Sequence, residues 1–189
     1  MKTFLSGLLV VAFVLTGCRG EQQASPQETT AAETVPESAA TPASDGKVVL
    51  GGIMPDYEAT TLDGKPFQMG GAGEKVVLLN IWATWCGPCR IEIPELEALH
   101  KKLAPQGFEV LGVSIDDPGA DQVVRDFVSE QHMTYPVVLD PRGRIADMFQ
   151  TTVIPTSALI DRSGKIVWMH RGLVRATDPA LNAALEEAL

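Results

Sequence analysis

The chain predicts an α/β domain: a sheet buried by helices on both faces. Apolar runs of strand length fall at residues 76–81, 110–115, 135–139, 157–160 and 166–170. Helical patterns alternate with them at 88–103, 119–130, 145–149 and 179–189. Strands interleaved with helices in this way point to a layered α/β architecture. The last two strands are joined by Asp161-Arg162-Ser163-Gly164-Lys165, which reads as a hairpin with a glycine turn. The stretch 48–189 has the length of one domain. It holds no internal repeat and no phosphate-cradling glycine loop.

Taken in chain order, the first segment is an address. Lys2 supplies a positive charge and residues 4–15 form an apolar stretch. That stretch is short of the roughly 20 residues a membrane-spanning helix needs, and it fits the apolar region of a secretory signal. It ends in Leu15-Thr16-Gly17-Cys18, which resembles a bacterial lipobox, so Cys18 is expected to carry lipid and to become the first mature residue. Arg19 follows where an Asp would mark inner-membrane retention under the enterobacterial sorting rule, which points to the outer membrane without deciding between the two. Residues up to about 46 are Glu, Gln, Ala, Ser, Thr and Pro, too polar to offset the entropy of ordering. We expect a disordered tether with a reach of roughly 30 Å by coil scaling. The expected division is therefore a signal peptide at 1–17, a lipidated cysteine and tether at 18–47, and a folded domain at 48–189.

The folded part opens with Pro55-Asp56-Tyr57-Glu58-Ala59 and Leu62-Asp63-Gly64-Lys65, which read as an N-terminal hairpin. The next apolar run leads directly into Trp85-Cys86-Gly87-Pro88-Cys89 and then into a helical pattern. Two cysteines spaced this way at a strand-to-helix junction are placed for dithiol–disulfide chemistry. Unpaired N–H groups and the positive end of the helix dipole favour a thiolate on Cys86. Pro88 suits a first helical turn, where no N–H is needed. Cys89, one turn further in, can reach back to close a small disulfide loop, which makes Cys86 the attacking sulfur and Cys89 the resolving one. A half zinc site would need two more ligands, yet His100, His132 and His170 are scattered singly. A structural crosslink gains most from closing a long loop, and this one closes almost nothing. With Cys18 lipidated, the three cysteines of the chain resolve into one anchor and one reactive pair.

The run from Val76 onward, with Trp-Cys-Gly-Pro-Cys inside it, resembles a thioredoxin active site. Val153-Ile154-Pro155-Thr156 resembles the segment whose cis proline faces the cysteines in that fold. The resemblance implies that Pro155 flanks the sulfurs and helps dock an extended substrate backbone. Asn80 stands where cytosolic thioredoxins keep a buried aspartate, and Gly112 about where they keep a partner lysine. The N-terminal hairpin, the added helix within 119–132 and Glu92 three residues after Cys89 resemble the membrane-attached TlpA/ResA/CcmG-type reductases. The fold this implies is thioredoxin-like: a central mixed sheet with helices on both faces, an N-terminal hairpin extension and an inserted helix. One departure is Val153, where that family commonly has glycine two residues before the proline. Another is the Gly87-Pro88 pair, typical of cytosolic thioredoxin, which leans toward a reductant.

The implied activity is extracytoplasmic thiol–disulfide exchange, in which Cys86 and Cys89 reduce disulfides of a partner protein such as an apocytochrome c or a copper-site protein. Glu92 is the candidate for handling the proton of Cys89, its spacing allowing the same helical face. Trp85 is expected to cap the site with an apolar surface that partners touch, while Trp82 belongs to the core and Pro94 resembles the helix-kinking proline of the fold. By resemblance, electrons come from a membrane thiol transporter of the DsbD or CcdA kind. No cofactor or metal is expected, and the protein is expected to be a monomer held at the membrane by the lipid on Cys18. Two other readings stay open. One is a disulfide oxidase or isomerase; the other is a copper(I)-carrying assembly protein, since thiolates suit that soft ion. Related copper carriers space their cysteines by three residues and add a histidine, and a peroxidase would need a lone cysteine in a Thr-x-x-Cys setting. A net charge of −9 with no basic stripe excludes nucleic acid as the natural partner.

Overall fold

In the computed structural model, described for residues 46–189, seven strands and four α-helices alternate as the apolar runs require. The elements are β1 (Tyr57–Thr61), β2 (Pro66–Met69), β3 (Val76–Trp82), α1 (Gly87–Leu103), β4 (Phe108–Ser114), α2 (Asp121–Glu130), β5 (Val137–Leu139), α3 (Arg144–Met148), β6 (Thr156–Ile160), β7 (Ile166–Arg171) and α4 (Pro179–Ala188). The expected signal peptide, Cys18 and nearly all of the expected tether lie outside the described residues.

The strands form one mixed sheet in the order β2-β1-β5-β4-β3-β6-β7. The three central strands β5, β4 and β3 are parallel, and antiparallel pairs flank them on both sides. Parallel strands need helical crossovers, which α1 and α2 supply. Both faces of the centre are therefore buried, and that is why β3 and β4 read as continuous apolar runs. Successive residues feed opposite cores: Leu78 and Val110 pack with Leu96, Val124 and Leu181 of α1, α2 and α4. Leu79 and Leu111 pack on the other face with Tyr57, Ile145 and Phe149.

The differences from expectation are local. In the expected N-terminal hairpin, residues 62–65 form the turn, with Gly64 at φ +83° and β2 beginning at Pro66. The third parallel strand starts at Val137, two residues late, because Pro136 has no N–H to give a ladder. Helix α2 starts at Asp121, since Gly119 adopts φ +89° and cannot be helical. At the sheet edges, β2 has four residues, and the first residue of β7 is covered by the incoming chain. There Gly51 N–H donates to Ile166 O and Ile166 N–H to Gly52 O.

Candidate active site

Helix α1 begins at the carboxyl end of β3, the end of a parallel sheet where open α/β folds place their sites. Cys86 is its N-cap, and the Cys86 sulfur accepts a hydrogen bond from Cys89 N–H at 3.2 Å. Pro88 occupies the first turn, where its missing N–H costs nothing. Cys89, Ile93, Leu96, Leu99 and Leu103 form the buried stripe that seats the helix on the sheet. The two sulfurs are joined as a disulfide. Cys89 is fully buried and Cys86 is 4% exposed, while the neighbouring Trp85 is 68% exposed.

Register brings the proline loop to the same place. Strand β6 runs antiparallel to β3 with Ile81 opposite Thr156, so the start of β6 lies beside the end of β3. The bond between Ile154 and Pro155 is cis. Thr151 and Thr156 hydroxyls tie the loop together: Val153 N–H donates to Thr151 Oγ1 and Thr156 Oγ1 donates to Val153 O. The Val153 side chain is 47% exposed on this face. Thr156 thus serves the loop.

Glu92 is fully buried. One carboxyl oxygen accepts from Asn80 Nδ2 at 2.6 Å and the other from Val174 N–H at 2.6 Å. Asn80 also donates to Ser157 Oγ at 3.0 Å. Burial pushes the Glu92 pKa up from its ordinary 4.5 to about 7, although both hydrogen bonds pull the other way. Asn80 lies opposite Gly112 in the β3–β4 ladder, so the two positions singled out in the sequence are neighbours. A side chain at Gly112 would press on Trp82 Nε1, 2.9 Å from where its Cβ would sit.

The sequence did not point to Asp116 or to Val174. Asp116 is buried just past β4, and its carboxylate accepts from Thr84 N–H, Thr84 Oγ1 and Ser114 Oγ. It thereby holds the turn that carries Trp85. Val174 lies in the segment after β7, and only its backbone N–H is used, so no side-chain pattern could have revealed it.

A thiol pair at a helix start, a cis proline beside it and a buried carboxyl behind it define a thioredoxin-like thiol–disulfide oxidoreductase. Known proteins agree. The model of the AhpC/TSA family matches residues 50–169. Thiol-disulfide oxidoreductase ResA of Bacillus thuringiensis subsp. konkukian is 33% identical over 126 residues, 67% of this chain and 72% of that protein. ResA of Geobacillus thermodenitrificans is 30% identical over 131 residues, 69% of this chain and 74% of its own. A solved thiol:disulfide interchange protein of the thioredoxin family from Chlorobium tepidum TLS superposes with a TM-score of 0.62 at 29% identity, covering 75% of this chain and 98% of that one. The chain belongs to the AhpC/TSA family and, among its thioredoxin-like members, to the thiol–disulfide oxidoreductases of the TlpA/ResA/CcmG type. Among the described residues no helix is long and apolar enough to cross a membrane.

Proposed function

We propose that the protein is an extracytoplasmic reductant of protein disulfides, held at the membrane by lipid on Cys18 and recharged by a membrane thiol transporter of the DsbD or CcdA kind. The observation that carries this reading is the asymmetry of the two cysteines. Cys86 caps the helix beside an exposed Trp85, and Cys89 is buried on the face that also buries Glu92.

In the proposed cycle the Cys86 thiolate attacks one sulfur of a partner disulfide, and the other partner sulfur leaves and takes up a proton. Cys89 then gives up its proton and attacks Cys86, expelling the second partner thiolate, which is protonated in turn. Two electrons pass to the partner, whose two thiols take one proton that Cys89 gave up and one from solvent, and the Cys86–Cys89 bond remains. Pro155 and Val153 border the path of the incoming chain, and Trp85 supplies its apolar contact. Glu92, with a pKa of about 7, is suited to take the Cys89 proton at neutral pH. Apocytochromes c and copper-site proteins are the substrate classes in view.

Cys89→Ala in the native host tests the substrate, because the mixed disulfide on Cys86 can no longer be resolved. Recovered apocytochrome c would establish a role in cytochrome maturation, and a copper-site protein a role in oxidase assembly. No adducts, with copper(I) bound by the purified wild type, would overturn the reductase in favour of a carrier. Glu92→Gln tests the proton acceptor through alkylation rates across pH. At least one of the two thiol pKa values is expected to move, and unchanged values for both would sink the assignment.

A further inference from the structure

Glu92 has no contact with solvent, so a proton it gains or loses travels through its neighbours. Few of them can carry one. Asn80 Nδ2 and the Val174 N–H bind the carboxyl, but neither exchanges a proton near neutral pH. Cys89 is closed in the disulfide. Glu95, one turn along α1, is held below its ordinary range by Arg175 and the Ala176 N–H and stays ionised. Arg175 is spent on that pair. The Tyr135 phenol is raised above its ordinary 10 by burial and then by Glu97 and Glu92, so it keeps its proton. That leaves Ser157. Its Oγ accepts from Asn80 Nδ2 at 3.0 Å, and its hydroxyl is among the groups that hold Glu92 down against the larger rise from burial.

The sheet continues this line outward. Asn80 of β3 stands opposite Ser157 of β6, and Ser157 stands opposite His170 of β7. Residues directly opposite in an antiparallel pair share a face, with Cβ atoms about 4.5–5.5 Å apart. The three therefore form one row, on the face that buries Glu92, from the middle of the sheet to its border strand. Asn80 and Ser157 are buried, while His170 is half-buried and is the first of the row with access to water. Its ring lies parallel to Trp168, with 5.9 Å between centroids and 9° between planes, which sets its tilt. Nε2 lies 3.8 Å from where a Cβ on Gly172 would sit, at the start of the segment that brings Val174 to Glu92. Imidazole is the side chain whose proton ordinarily comes and goes near neutral pH.

We propose that His170 is the solvent gate of Glu92, joined to it through the Ser157 hydroxyl. A proton on the Glu92 carboxyl passes to Ser157 Oγ as the hydroxyl's own proton passes to the imidazole, and the imidazolium releases it to water. No electrons move, and the reverse path reloads the carboxyl. The proposal rests on Glu92 as the acceptor of the Cys89 proton and assigns the route by which that acceptor is emptied.

The test uses the full chain in its disulfide form, where neither cysteine titrates. A photoacid pH jump across 7 is followed by time-resolved infrared, reading the acid C=O band of Glu92, which Glu92→Gln identifies by its loss. His170→Gln is expected to slow the relaxation of that band by about a hundredfold, the low end of what a placed proton carrier contributes. His170→Ala should be as slow in weak buffer and should recover when imidazole is added, a rescue that a purely structural role cannot give. Ser157→Ala, which breaks the path in its buried middle, should stay slow with imidazole present. Wild-type relaxation in either His170 variant, or slowing that imidazole does not relieve in His170→Ala, would overturn the gate. Thiol pKa values unchanged in reduced Glu92→Gln would instead overturn the acceptor, and the relaxation of the oxidised protein would still decide the route.

Discussion

The carboxyl of Glu92 is met by two N–H donors, from Asn80 and Val174, in a setting without solvent. Asn80 is a fitting partner because an amide can serve either protonation state, donating to the carboxylate or, turned over, accepting from the acid. Glu92 releases its proton near 4.5 when unfolded and near 7 when folded. Between those values the native state binds more protons than the unfolded chain, so stability falls as pH rises through the window. The loss reaches about 3 kcal/mol above it and vanishes below it. The oxidised protein isolates the effect, since disulfide sulfurs do not titrate. Urea midpoints of oxidised wild type and Glu92→Gln should therefore diverge in favour of the variant as pH rises from 4.5 to 7. A difference that stays flat with pH would show that Glu92 ionises freely in the fold.

At the scale of elements, two segments hold the cysteine-bearing end of the molecule together. Glu92 and Glu95, on neighbouring turns of α1, accept from the N–H groups of Val174 and Ala176, binding the chain after β7 to the helix. Asp116 does the same for the turn before Cys86. The two anchors differ in strength. The Arg175–Glu95 ion pair is 53% and 29% exposed, so Arg175→Ala should cost less than about 1 kcal/mol. Asp116→Ala strands three donors in a buried site and should cost roughly 3 kcal/mol by the same denaturation measurement. The start of α1 was legible because Pro88 and the apolar stripe mark it locally, and β3 because burial on both faces leaves an unbroken apolar run. The partners of Glu92 were not legible. Ser157 reaches Asn80, and Val174 reaches Glu92, only through strand register and chain return, which short-range pattern does not encode. Asp116 was not legible because two of its three donors lie across the sheet end, at Thr84. The first hairpin was legible by its Asp63-Gly64 turn but not by its strands, which are half-exposed and largely polar.

Over the whole molecule, the sheet separates two cores, and both cysteines belong to the one that holds α1, α2 and α4. Phe149 lies in the other, fully buried with Ile145 and Tyr57. Phe149→Ala should cost about 3–5 kcal/mol of stability. The exchange rate of the folded fraction should stay at the wild-type value, as stopped-flow fluorescence can check; a fall in that rate would mean the far core positions the sulfurs. The borders of the sheet bear on a different matter, the behaviour of many copies at once. An unpaired strand is a template on which a second chain can grow. Here one border is four residues long and opens with Pro66, and the other begins beneath the 51–54 segment. The first border is too short for a long ladder, the second is covered only at its start, and a net charge of −9 adds mutual repulsion. Copies concentrated in solution should therefore resist zipping into fibres along the β2 border.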